Sequence, residues 1–279
     1  MFRYSYDALV YANEPIADSI KRVARFGYDA IELVGEPAKH DVAEVRRLCD
    51  GEGIVVSSIC SIFFGVERDL CAVDGAMRRK GIDYAKSVVD FGAAVGAKAV
   101  NLAPSPVGKL SPVADRDTEW NLAVDSIREV AAYAKAAGVK TCLEPWNRYE
   151  TYFINRLDQA LELARAVGSD NLGVMGDTFH MNIEDVSIAE GLRQAGKDLV
   201  HVHFADSSRA APGAGHIDFR PIVQALIDIG YDGYIAFELL PAAADPFATL
   251  NAGGAPEFRD TYTKLAIDTI KAVEAEVRR

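Results

Sequence analysis

Along the chain an amphipathic run repeatedly stops at a glycine, one or two residues follow, and a short apolar segment begins. The clearest cases are Lys21 to Val34, Cys49 to Ile59, Phe91 to Ala103, Ala131 to Pro145 and Val223 to Leu240. Glycine at a helix end takes the left-handed conformation at little cost, so each glycine marks a helix stop. The apolar segments are rich in Val, Ile, Ala and Leu with few interruptions. That pattern suits strands buried on both faces of a parallel sheet. It predicts strands near Phe2 to Val10, Ala30 to Val34, Ile54 to Ser61, Ala99 to Leu102, Lys140 to Glu144, Leu172 to Asp177, Leu199 to Ala205 and Tyr234 to Leu239. A helix is expected after each, the longest at Thr118 to Ala137 and the last at Tyr262 to Val277. Strand–helix units of about 35 residues, eight in a row, match a (β/α)8 barrel. A doubly wound open sheet would carry a glycine-rich phosphate turn after its first strand, and none follows Val10. No linker or low-complexity stretch intervenes, so residues 1–279 read as one α/β domain, a single (β/α)8 TIM barrel.

Charge narrows the partners. The 279 residues include 30 Lys and Arg against 41 Asp and Glu, a net charge of −11. Nucleic acid and anionic membrane both need clustered positive charge, so neither is an expected partner. No stretch approaches the ~20 apolar residues of a membrane span, and the first residues lack a basic segment followed by an apolar run. The four cysteines, Cys49, Cys60, Cys71 and Cys142, form no CxxC pair. They read as reduced thiols of a cytoplasmic protein.

Barrel enzymes carry their chemistry at the C-terminal ends of the strands. Strand five ends in Glu144, strand six in Asp177, strand seven carries His203 near its end and strand eight Glu238. Three carboxylates converging without a cation would repel one another, and a metal removes that cost. The set is hard and mostly oxygen, which suits Mn²⁺, with Mg²⁺ or Co²⁺ able to substitute. His201 and His203 share a strand face; His203 is nearer the end, and His201 is expected beneath it in the core. Glu32, ending strand two, reads equally as a site residue or an internal hydrogen-bonding partner. Past these ends lie Asn147, Arg148 and Glu150, then His180, then Arg209, in loop positions that suit binding of substrate hydroxyls.

The segments Glu144 to Glu150 (EPWNRYE), Asp177 to Glu184 (DTFHMNIE), His203 to Arg209 (HFADSSR) and Gly230 to Glu238 (GYDGYIAFE) resemble the ketose 3-epimerases. These include the D-tagatose and D-allulose 3-epimerases of the xylose-isomerase-like barrel superfamily. The likeness runs over roughly Gly138 to Leu240 and is looser in the N-terminal half. It implies that Glu144, Asp177, His203 and Glu238 bind the metal and that Glu144 and Glu238 are the acid/base pair. It also implies that Glu150, His180 and Arg209 hold a sugar, and that the protein is a homodimer or homotetramer. The chemistry is coherent: a divalent metal stabilises the enediolate formed when one carboxylate takes the C3 proton of a ketose, and a second carboxylate on the other face returns one.

Three segments depart from the resemblance: NLAPSPVGKL after strand four, Phe63 and Phe64 after strand three, and Trp146 beside Glu144. They shape the pocket around the far end of the substrate, and the aromatic side chains would suit a bulkier, aglycone-bearing one. The same site could serve aldose–ketose or hydroxypyruvate isomerisation, or elimination from an inosose or 3-keto sugar. A nuclease of the same superfamily would need more His and carboxylate ligands than can be assigned among the 5 His, and the net charge opposes DNA. A non-catalytic metal-binding scaffold is the remaining alternative. The stretch Ala242 to Phe258 reads as a lid over the site or a subunit contact.

Overall fold

The computed structural model describes residues 1–12 and 14–279. Eight parallel strands close into a barrel in sequence order. They are β1 (Arg3–Asp7), β2 (Ala30–Gly35), β3 (Val55–Ser61), β4 (Ala99–Leu102), β5 (Lys140–Leu143), β6 (Leu172–Asp177), β7 (Leu199–Phe204) and β8 (Tyr234–Phe237). β1 pairs with both β2 and β8, which closes the ring and leaves no sheet edge. The long helices α3 (Gly75–Val95) and α4 (Arg116–Ala137) stop at Gly96 and Gly138, whose φ values are 81° and 73°. Asp74 and Asp115 start them by accepting from free backbone N–H groups of the first turn. Helices pack their apolar faces on the outside of the barrel, where the main core lies.

Three strands end earlier than their apolar runs. β1 stops at Asp7 and not Val10, because the Asp7 carboxylate accepts from Leu9 N (2.8 Å) and starts a 3-10 turn. β5 stops at Leu143 and β8 at Phe237, so Glu144 and Glu238 stand just past the paired ladder.

The barrel interior is polar along one line. Ser5 and Ser57 hydroxyls are 2.7 Å apart, Ser57 and Ser58 2.9 Å, and Ser58 lies 3.2 Å from His201 Nε2. His201 meets Glu32, and Glu32 meets His203. Barrel interiors are ordinarily filled by branched apolar side chains. Here a hydrogen-bonded chain runs up to the C-terminal rim and satisfies buried groups that would otherwise be costly. Among the described residues no helix is long and apolar enough to cross a membrane. All four cysteines are free and buried.

Candidate active site

Glu144, Asp177, His203 and Glu238 each bring one ligand atom within 4.8 Å of the others, and all four are buried. The register explains the convergence: Asp177 pairs with His203, and His203 with Ala236, two residues before Glu238. His203 Nδ1 lies 3.4 Å from Glu238 Oε2, 3.8 Å from Glu144 Oε1 and 4.0 Å from Asp177 Oδ2. His203 Nε2 faces Glu32 Oε2 at 2.9 Å, which fixes the ring with Nδ1 towards the carboxylates. His203 Nδ1 and Asp177 Oδ2 are buried with no hydrogen-bond partner. Buried polar atoms are rarely left so, and these two aim at a common point. A three-oxygen, one-nitrogen set with orphaned atoms fits a divalent cation.

The electrostatics separate the carboxyls. Burial raises Glu144 to about 8, with Glu238 and Asp177 adding to the shift and His203 opposing it. Burial likewise raises Asp177 to about 7, against the pull of Arg209. Burial works the same way on Glu238, but the Arg209 guanidinium and His203 outweigh it and hold that carboxyl well below its ordinary range. Burial opposes charge on His203, yet Glu32 and Glu238 keep the imidazole well above its usual value. A divalent cation held by these groups would favour the ionised form of each carboxyl and relieve the repulsion that raises Glu144 and Asp177.

The loops deliver the remaining groups. Arg209 Nη2 donates to Glu238 Oε2 at 2.6 Å, and the guanidinium lies over the Phe179 ring at 4.9 Å. Arg209 adopts a positive φ of 62°, a strained backbone that its loop holds by Arg209 N to Asp206 O (2.8 Å) and Leu240 N to Arg209 O (2.9 Å). Asp177 accepts from Phe179 N and so caps the short helix Thr178–Glu184, which carries His180. Asn147 Nδ2 donates to His180 Nδ1 (2.8 Å) and to Glu150 Oε1 (2.9 Å). With Nδ1 accepting, the ring proton sits on Nε2, which has no partner and lies 3.7 Å from Asp177 Oδ2. Burial and then Arg209 push His180 well below its ordinary range, so it stays neutral, with Nε2–H free to donate.

All of the candidate residues Glu144, Glu150, Asp177, His180, His203, Arg209 and Glu238 therefore gather at one rim. Arg148 does not join them: it points outward and pairs with Glu184 at 2.8 Å. Glu32 is the internal partner of His203, and His201 lies beneath, bonded to Ser58 and Glu32. Two further residues carry no motif of their own. Asn101, near the end of β4, donates to Glu144 Oε2 at 2.6 Å. Asp7, ending β1, is buried near Cys60 and Glu238. Asn101 is signalled only as a polar residue in an otherwise apolar strand, and Asp7 only as the acidic end of the mixed strand RYSYD.

A cavity of about 820 Å³ opens above the cluster. Phe63, Phe64 and Trp146 line it, as does Pro241 to Phe247, so the first part of the 242–258 stretch forms pocket wall.

The sequence model of the xylose isomerase-like TIM barrel family matches residues 20–260. A D-psicose 3-epimerase of Ruminiclostridium cellulolyticum is 44% identical over 124 residues, 44% of this chain and 42% of that protein, so the match spans under half of the relative's length. A 3-dehydro-D-guloside 4-epimerase of Escherichia coli is 28% identical over 84% of this chain and 90% of its own. The crystal structure of D-psicose 3-epimerase with D-tagatose from Clostridium cellulolyticum H10 superposes with a TM-score of 0.87 at 26% identity, covering 98% of this chain and 99% of that one.

Proposed function

Because the chain belongs to the xylose isomerase-like TIM barrel family, we propose that it is a metal-dependent sugar epimerase inverting C3 of a free ketose. The observation that carries this reading is the buried Glu144, Asp177, His203 and Glu238 cluster, with its orphaned His203 Nδ1 and Asp177 Oδ2. Those four residues would hold the cation. A divalent metal there supplies Lewis acidity, stabilising the charge that develops on the substrate's carbonyl oxygen.

The chain supplies the proton transfers. Glu238, held by Arg209 at 2.6 Å, would take the C3 proton, and Glu144, held by Asn101 at 2.6 Å, would deliver one drawn from solvent. β5 and β8 stand three strand positions apart around the closed barrel, which supports attack on the two faces of a sugar placed between them. In the reverse direction the two carboxyls exchange roles. His180 Nε2–H and the Arg209 guanidinium are donors placed to hold the carbonyl end, and Glu150 an acceptor for a hydroxyl. Phe179 and Trp146 shield the reacting carbon from water.

We further assign Mn²⁺ as the native metal, with Mg²⁺ or Co²⁺ substituting, a homodimer or homotetramer as the working form, and the cytoplasm as its place. A second reading is inversion beside the ketone of a keto-glycoside by the same carboxylates. It is favoured by the Escherichia coli relative, matched over 90% of its length. The test is deuterium entry from D₂O into a panel of free ketoses by Mn²⁺-loaded protein. Deuterium at C3 with the epimer appearing is expected; exchange at C1 or C2 alone would replace epimerisation by aldose–ketose isomerisation.

A further inference from the structure

The cavity is larger than the reaction needs. A hexose of twelve non-hydrogen atoms fills about 200 Å³ at the density of a protein interior, against about 820 Å³ here. Polar lining gathers at the base, where Glu144, Glu150, Arg209 and Glu238 lie; Ser61, Ser208 and Asp245 are the other polar lining residues. The rest of the wall is apolar and largely aromatic: Phe63, Phe64, Val107, Trp146, Leu240 and Phe247. Part of it is tied together. Val107 N donates to Phe63 O at 2.9 Å, Phe64 and Val107 form a parallel bridge, and Phe64 meets Phe247 edge to face with centroids 5.9 Å apart. Phe64 nonetheless remains 42% exposed, an aromatic ring left partly uncovered in a pocket wall.

Away from the base, Ser208 and Asp245 are the few side chains that could meet the tail hydroxyls of a free ketose, so most of them would lose their water bonds without replacement. A planar aromatic group meets the opposite situation: it buries apolar area and finds ring edges and faces to pack on. We propose that the substrate suited to this cavity is a keto-sugar bearing an aromatic substituent, an aryl keto-glycoside. Its ketone and adjacent hydroxyl sit at the carboxylate cluster, and its ring packs against Phe64, Phe247 and the edge of Trp146. The inference rests on the proposed inversion next to a ketone, and of its two readings it takes the keto-glycoside in place of the free ketose. The C–H bond beside the ketone breaks, the proton passes to one glutamate and the electron pair to the carbonyl oxygen. A proton from the second glutamate then forms the new C–H bond, so nothing else is consumed.

The experiment compares Mn²⁺-loaded protein on a phenyl 3-keto-glucoside, a methyl 3-keto-glucoside and a panel of free ketoses in D₂O. It follows deuterium entry, and separately the binding of the phenyl compound to metal-free protein by Trp fluorescence. The phenyl compound should exceed the methyl compound and every free ketose in kcat/KM by about tenfold or more. In Phe64→Ala and Phe247→Ala the phenyl-to-methyl ratio should fall to within about threefold, and binding of the phenyl compound should weaken by about tenfold. Exchange with equal phenyl and methyl rates, or with a free ketose best, overturns the inference and leaves the epimerase standing. A phenyl preference that survives both substitutions overturns this placement of the ring. No exchange with any compound overturns the inference together with the epimerase reading.

Discussion

Glu32 makes no contact with the cavity, yet its exchange for glutamine should weaken the metal site sharply. Its Oε2 lies 2.9 Å from His203 Nε2 and 3.2 Å from His201 Nε2, while Oε1 is buried without a partner. Glutamine keeps the volume and one acceptor. It removes the negative charge facing the imidazole and places amide hydrogens where nothing accepts them. Turning a charge-assisted bond into a neutral one costs about 1–1.5 kcal/mol, and a buried unsatisfied donor about 1–3 kcal/mol. Part of that total is lost equally with and without metal. The part that reaches the metal acts through the basicity and orientation of His203, for which partner substitutions cost about 10–100-fold in affinity, or ~1.4–2.7 kcal/mol. Titration of Mn²⁺, read from the electron paramagnetic resonance signal of the free ion, should show that rise in Kd while near-ultraviolet circular dichroism stays native. Ser58→Ala is the control: it removes a 3.2 Å contact to His201 but leaves the Glu32–His203 bond in place, and should change Kd by less than about threefold. If Glu32→Gln binds Mn²⁺ within about twofold of the wild type, or if Ser58→Ala weakens it equally, Glu32 does not set the ligand's orientation.

Glu144→Gln keeps the shape of the site but removes a carboxylate proposed as both metal ligand and acid/base group, so C3 exchange at saturating Mn²⁺ should fall by about 10²–10⁴-fold in a single-turnover measurement. Asn101→Ala removes the 2.6 Å bond that aims Glu144; kcat should drop by about tenfold with little change in KM, since alignment and not binding is lost. Lys109 pairs with Asp69 at 2.7 Å and with fully buried Glu119 at 3.3 Å, so Lys109→Met should cost about 3–5 kcal/mol in urea denaturation by stranding buried charge. In chelator-treated protein the folded-state carboxyls of Glu144 and Asp177 are raised to about 8 and about 7. The folded chain then binds more protons than the unfolded one between pH 5 and 8, so stability should fall as pH rises through that window. His203, held above its ordinary range, adds the same sign above about pH 6.5. Glu238, held low, opposes where pH drops towards its unfolded value, and neutral His180 opposes below about pH 6.5. A Tm that is flat or rising from about pH 6.5 to 8 would contradict this, and Mn²⁺ should flatten the slope.

The fold and the four-residue cluster were legible because both follow from local rules. Apolar runs after glycine-terminated helices locate the strands, and in a parallel barrel every strand end faces the same rim. Glu144, Asp177, His203 and Glu238 could therefore be placed together with no knowledge of distances. The partners that orient them follow from no such rule. Asn101 reaches Glu144 from β4, and Glu32 reaches His203 across the barrel interior from β2. Each is a single polar residue in an apolar strand, a pattern that also fits ordinary structural hydrogen bonding. Arg148 shows the reverse: its spacing past Glu144 suited substrate binding, but Glu184 draws it to the outer surface. The loops show the same limit. Sequence located the aromatic residues at 63, 64 and 146, but not that Phe247, nearly two hundred residues on, would close against Phe64. A strand fixes where its side chains point by its period of two. A loop fixes it only by what it packs against, so the carboxylate cluster at the base of the site is readable from the chain while the outer pocket emerges only from the folded molecule.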